Sequence, residues 1–236
     1  NSPASKKEFE KALNQPGNWI MGLDFPFTQS YRFIKNIGWP NEWGRYMDEI
    51  KDISRDDFRK LLDDYRKKRP YGDKEHKRKC DIESGALSPQ KIYGTPVGLM
   101  FFEGAQRLKR SNVTIPFIKN GDPNQIAVEA YPGILIRNLI GRQPYKTENL
   151  KTNSNELLLN RKKILKLIMN DALFLKYDLH VEVSENLIDD PSGDELDAFL
   201  CAIQAAWAIR QFKVKKNVFC DKSTMREGWI ADPNLF

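Results

Sequence analysis

Four carboxylates stand at places where an apolar pattern stops: Asp24, Glu129, Asp194 and Asp197. Asp24 ends the run Trp19-Ile20-Met21-Gly22-Leu23, and Asp24-Phe25-Pro26-Phe27 then turns. Glu129 sits in Ile126-Ala127-Val128-Glu129-Ala130, just before Tyr131-Pro132-Gly133. A carboxylate in a buried strand is unfavourable unless it is paired, metal-bound or at the strand's mouth. Asp194 and Asp197 are three apart on the first turn of a helix, so their carboxylates can point the same way. Such a set offers hard oxygen ligands without a nitrogen or sulfur cluster, which suits Mg²⁺ or Mn²⁺. Two such ions about 3.5–4 Å apart activate water and stabilise the leaving oxygen in phosphodiester cleavage. Plainer roles exist for each acid. Asp24 can bind the N–H groups of its own turn, Asp194 or Ser192 can cap the helix, and Asp197 can simply face water. Spacing alone does not bring the four together.

Positive charge is the second chemistry. The chain has a net charge of +6. The segment RKKRPYGDKEHKRK carries Arg66, Lys67, Lys68, Arg69, Lys74, Lys77, Arg78 and Lys79 against only Asp73 and Glu75, so it holds the whole excess. A cluster of that kind suits a phosphate backbone, whereas a solvated loop is its bland counterpart. Arg66, Lys67, Lys68, Arg69, Lys77, Arg78 and Lys79 are the candidate strand contacts. Lys146, in Pro144-Tyr145-Lys146, is a further one, able to meet a phosphate or neutralise the acids.

Several classes are poorly supported. Three cysteines without a CxxC and two histidines give no cysteine or histidine metal cluster. That cysteine usage fits a reducing compartment, so a cytoplasmic location is expected. No GxGxxG, phosphate-loop or internal-repeat pattern occurs. No apolar run reaches the roughly 20 residues of a membrane span, and no signal-peptide pattern is present. The first residue is Asn1, which reads as a processed, truncated or engineered start.

The elements that must position these groups read as α/β. Ser5 to Leu13 is helical, followed by the buried strand 19–23. Residues 28–95 show no convincing strand. They read as a mostly helical insertion, with helices at 42–52 and 56–68 and Ser54 as an N-cap. Residues 96–109 form another helix. Strands are expected at 113–118 and 125–130, joined through Asn120-Gly121-Asp122-Pro123 as a hairpin or tight connection. A helix from about residue 133 stops at Gly141, and a long one runs over 155–174. The acidic helix runs from Asp194 to Arg210, with Leu196, Phe199, Leu200, Ile203 and Trp207 on one apolar face. The tail near Glu227-Gly228-Trp229-Ile230 folds back onto the body. A chain of 236 residues can hold one such domain with its insertion.

The ordered motifs WIMGLDFPF, SPQKIYGTPVG, VEAYPG, PYK, GDELDAFLCAIQAAWA and EGWI resemble the family known as domain of unknown function 429. The resemblance covers nearly the whole chain, from about Trp19 to Ile230. It implies an RNase H-like core, related to Holliday-junction resolvases, and a nuclease activity. Asp24 then matches the acid after the fourth core strand, Glu129 the acid before the family's YP, and Asp194 with Asp197 the family's D-x-x-D-A. One departure is clear. The three-stranded meander that opens such a core, with its leading Asp, is missing from this chain. The open edge of strand 19–24 is therefore expected to be covered by an upstream segment or a second chain. The expected function is a metal-dependent nuclease with Asp24, Glu129, Asp194 and Asp197 as ligands. The alternatives are a catalytically incomplete nucleic-acid-binding or scaffold protein on the same fold, and hydrolysis of a small phosphorylated molecule.

Overall fold

The computed structural model describes residues 3–147, 155–214 and 222–235. These residues form eleven α-helices and a small three-stranded parallel sheet, a mixed α/β architecture. In chain order they are α1 (Pro3–Leu13), β1 (Trp19–Leu23), α2 (Tyr31–Asn36), α3 (Trp43–Ile50), α4 (Arg55–Lys67), α5 (Lys79–Ser84) and α6 (Val97–Arg110). After them come β2 (Val113–Thr114), β3 (Asp122–Glu129), α7 (Gly133–Ile140), α8 (Asn155–Met169), α9 (Ala172–Tyr177), α10 (Asp194–Val214) and α11 (Lys222–Glu227). Two compact units share the chain. The first takes 1–20, 25–129 and 215–230, and the second takes 21–24, 130–214 and 231–236.

In the first unit, α3 and α4 pack on α6. Helix α3 buries Trp43, Tyr46, Met47 and Ile50, spaced i, i+3, i+4, i+7. Helix α4 starts where Ser54 Oγ accepts from Asp57 N–H at 3.1 Å, the N-cap its sequence predicts. Asp56 and Asp57 in its first turn and Arg66 and Lys67 in its last complement the helix dipole. Its Phe58 ring stacks on Phe102 of α6, with centroids 5.0 Å apart. Burial of a side chain of that size contributes about 1.5–3 kcal/mol. Residues 28–95 hold α2 to α5 and, as described, no strand.

The sheet order is β1-β3-β2. The sequence suggests a hairpin between the last two strands; the structure pairs them in parallel, with Val113 opposite Asp122 and Thr114 opposite Ile126. The reason lies in the connection. Ile115 and Lys119 form an antiparallel bridge, and Phe117 between them has a φ of 66°. The chain thus reverses early, and β2 ends after two residues. Gly121 then lets the backbone pass against the carbonyls of Asn112 and Val113, where a Cβ would collide. The chain returns to the start of β2 and runs alongside it. Farther on, Ile230 forms a parallel bridge with Glu129, so the tail does return to this sheet.

In the second unit, α7 stops at Gly141, whose φ is 73°. The single helix expected over 155–174 is two helices. Asp171 adopts the left-handed region at φ 59°, which aspartate tolerates better than most residues, and it breaks α8 from α9. Helix α10 has 21 residues, four beyond its sequence expectation. Leu196, Leu200, Ile203 and Trp207 are buried along it. A Cβ on Gly22 of β1 would run into the Cys201 carbonyl of α10, so strand and helix backbones meet there. Gln204 is fully buried on α10. Its Oε1 accepts from Tyr131 N–H at 3.0 Å, and its Nε2 donates to the Ala231 carbonyl at 2.6 Å. The amide ties the start of α7 and the C-terminal strip to the helix.

Candidate functional site

The first turn of α10 is shaped by residues just before it. Asp190 Oδ2 accepts from the backbone N–H groups of Asp194 (2.8 Å) and Glu195 (3.2 Å), and Ser192 Oγ donates to the same carboxylate at 2.7 Å. Burial pushes this carboxyl up, but the hydrogen bonds from Ser192, Glu195 and Asp194 outweigh it and hold it below the usual range. Asp190 therefore does most of the capping; Ser192, one of the two caps the sequence suggested, is a second and longer acceptor for Asp194 N–H at 3.3 Å, and Asp194 is not the cap. The side chain of Asp194 is exposed. Gly193 turns the chain at φ 72°, and a Cβ there would come within 2.8 Å of Lys146 Cβ. The glycine makes room for the lysine.

Asp197, one turn in, is only 7% exposed. Its Oδ1 accepts from the Tyr145 hydroxyl at 2.6 Å, and its Oδ2 accepts from Lys146 Nζ. Burial is the main force on this carboxyl and pushes it up; Lys146 and Tyr145 pull the other way, and Asp194 adds to the rise. Lys146 feels the opposite balance. Burial lowers it, but Asp197, Asp24 and Asp194 together raise it. The ammonium thus stays charged among three carboxylates. Burial and the charges of Asp197 and Asp24 push the Tyr145 phenol far up, so it remains a donor. Asp24, at the end of β1, is exposed. Within the second unit, Asp24, Asp194 and Asp197 therefore all act on Lys146, and Asp194 also acts on Asp197. Tyr145 was not among the sequence candidates, and its only signal was its place beside Lys146.

Glu129 lies in the first unit, 4% exposed, and faces Arg78, 1% exposed. Arg78 Nη2 is 2.5 Å from Glu129 Oε1, and Nη1 is 2.8 Å from Oε2. The other side of the guanidinium meets Asp81, with Nη2 to Oδ1 at 2.6 Å and Nε to Oδ2 at 3.0 Å. Phe27 N–H donates to Glu129 Oε2 at 2.9 Å. Burial raises the Glu129 carboxyl, and Arg78 counters it. Asp81 escaped the sequence reading because its partner is a cation in what looks like a solvated run.

The basic segment is sorted by the fold. Arg78 is not at the surface. Arg69 donates to the Asp73 carboxylate and, at 3.0 Å, to the Asp73 carbonyl. Arg66 Nε lies 3.0 Å from Glu75 Oε1, an ion pair without hydrogen-bond alignment. Lys67, Lys68, Lys74, Lys77 and Lys79 are exposed. Lys67 and Lys79 have loose pairs at 3.8 Å with Asp64 and Glu83.

Asp197 holds Lys146 and Tyr145 directly, the charges of Asp24 and Asp194 also reach Lys146, and the Cys201 thiol feels Asp24, Asp197 and Lys146 as well, so the neighbouring donors are mostly oxygens. A cation, the Lys146 ammonium, already stands among them. That chemistry fits Mg²⁺ or Mn²⁺. Among the described residues, no three His, Cys, Asp or Glu side chains form a ready-made metal group. Among those residues, too, no helix is long and apolar enough to cross a membrane. The fold and site define a mixed α/β protein with a carboxylate–lysine–tyrosine cluster at the head of its longest described helix. No family model, curated protein or solved structure matches the chain.

Proposed function

We propose that this protein is a metal-dependent phosphodiesterase acting on nucleic acid, with Asp24, Asp194 and Asp197 as its metal-facing acids. The observation that carries the reading is Lys146: a charged ammonium held by Asp197 and raised by Asp24 and Asp194. A place that holds one cation among hard oxygen donors suits a divalent one. A bound Mg²⁺ or Mn²⁺ supplies Lewis acidity and an activated water. The chain's own residues do the rest. Tyr145 holds Asp197 Oδ1 in place. Lys146, kept protonated, is suited to a phosphate oxygen rather than to proton abstraction. Glu129 is outside this ligand set, because Arg78 and Phe27 N–H already engage both its oxygens. The resemblance to a family of predicted RNase H-like nucleases supports the same reaction class.

The test is Mn²⁺-dependent cleavage of labelled single-stranded, duplex and branched DNA and RNA. Asp197→Asn abolishes cleavage with the fold intact. Tyr145→Phe lowers it about 10- to 100-fold, as loss of a group orienting a ligand does. Cleavage that survives Asp197→Asn sinks the assignment. A second reading, a nucleic-acid-binding protein without turnover, is favoured by the engagement of Glu129, which removes one of four expected acids. It predicts salt-sensitive binding and no product.

A further inference from the structure

Two exposed tyrosines border the basic segment of the first unit. Tyr71 is 98% exposed and Tyr93 is 51% exposed. The backbone turn under Tyr71 and the ring of Tyr93 are both held. Tyr71 rides on the turn Pro70-Tyr71-Gly72-Asp73, closed by Asp73 N–H donating to the Pro70 carbonyl at 3.1 Å. Arg69 clamps the same turn through its bonds to Asp73, and Arg32 Nη2 meets Asp73 Oδ1 at 2.7 Å. Tyr93 carries cations on its ring: Arg66 Cζ is 4.6 Å and Lys91 Nζ 5.1 Å from its centroid. Its hydroxyl reaches Glu75, the partner of Arg66, at 3.4 Å. Arg69 thus braces the turn that carries Tyr71 and Arg66 lies on the ring of Tyr93, whereas Arg78 is buried on Glu129, and Lys68, Lys74 and Lys77 are exposed. Among the described residues, Lys68, Lys74 and Lys77 make no ion pair.

We infer that this surface binds single-stranded nucleic acid, with bases stacked on Tyr71 and Tyr93 and phosphates met by Lys67, Lys68, Lys74 and Lys77. The inference rests on the reading that the protein acts on nucleic acid, and it names the form of the polymer. In a duplex the bases already stack on each other and offer these rings no face. Unpaired bases stack on tyrosine or on an arginine plane whatever their identity, while lysines follow the backbone. A ring already held by its neighbours, as Tyr93 is, binds with a smaller ordering cost.

The experiment measures binding in EDTA, where no cleavage occurs. The probes are an oligothymidine of about 12 nucleotides, within the ~4–16 that single-strand sites span, an abasic strand of equal length, a duplex, and heparin as a plain polyanion. The single strand binds more tightly than the abasic strand. Tyr71→Ala and Tyr93→Ala each weaken it about tenfold, as loss of one stacked base does. They leave the abasic strand and heparin unchanged, Tyr71→Ala leaves the melting temperature unchanged, and Tyr71→Trp binds like the parent. If the strands bind but the alanine variants bind like the parent, or the abasic strand binds equally, stacking is refuted and the nucleic-acid reading stands. If no nucleic acid binds, both fall. Stack-dependent binding without Mn²⁺-dependent cleavage upholds this surface and rejects the phosphodiesterase.

Discussion

Arg78 and Glu129 form a two-pronged buried ion pair, with Nη2 and Nη1 at 2.5 and 2.8 Å from the two carboxylate oxygens. The pair joins the loop before α5 to the end of β3, and Asp81 balances the far side of the guanidinium. A planar fork of this kind is something lysine does not reproduce. Arg78→Met therefore lowers the unfolding free energy by about 3–5 kcal/mol, because two buried carboxylates lose their partner. Glu129→Gln costs less, about 1–3 kcal/mol, since Asp81 still holds the cation. Arg78→Lys stays close to the Met variant. Urea unfolding reads all three.

Asp190 controls the start of α10. Asp190→Ala lowers stability by about 1 kcal/mol, the usual loss for a helix cap. The pH dependence has a definite sign. The folded-state carboxyl lies below its unfolded value, so its contribution is present above the unfolded pKa and is lost as pH falls through the folded one. Thermal unfolding of the parent and Asp190→Asn differs most near neutral pH, and the difference vanishes once the pH has fallen below the folded-state value. A gap that widens in acid contradicts the assignment.

Gly22 is the point where β1 meets the Cys201 carbonyl. The obstacle is backbone, which does not swing aside as a long side chain does. Gly22→Ala costs about 1–3 kcal/mol through overpacking. Since Asp24 follows two residues later, the variant also weakens Mn²⁺-dependent activity more than its stability loss alone accounts for. Denaturant unfolding beside a cleavage assay separates the two effects.

Lys146 is the cation that Asp197 holds in this protein. Lys146→Met removes that resident cation and leaves Asp197 facing the charge of Asp194 without its partner. Mn²⁺ then raises the melting temperature of the variant more than that of the parent, because a ligand specific to the native state stabilises it. Equal shifts in the two proteins place the metal elsewhere. Calorimetric scans with and without Mn²⁺ make the comparison.

Local pattern revealed the elements better than it revealed their partners. The apolar run at 19–23, the stripe of α10 and the Ser54 cap were legible because each depends on neighbours a few residues away. The break at Asp171 was not, since an aspartate in a helical pattern carries no mark of its left-handed backbone. The parallel pairing of β2 and β3 followed from a reversal at Phe117 that the Asn-Gly step masked. Among the site residues, the pair Asp194 and Asp197 was visible from spacing, whereas Tyr145 and the capping role of Asp190 were not. Arg78 was the least legible. It looked like one more solvated cation in a run, and its acid lies 51 residues away.

The turn at Pro70–Asp73 also makes the chain easy to cut without taking it apart. Lys67 and Lys68 stand exposed just ahead of it, where trypsin has open access. A nick after Lys68 would leave Arg78 anchored on Glu129 and α4 packed on α6. The two fragments would stay together as a folded whole, with only the clamped tyrosine turn released.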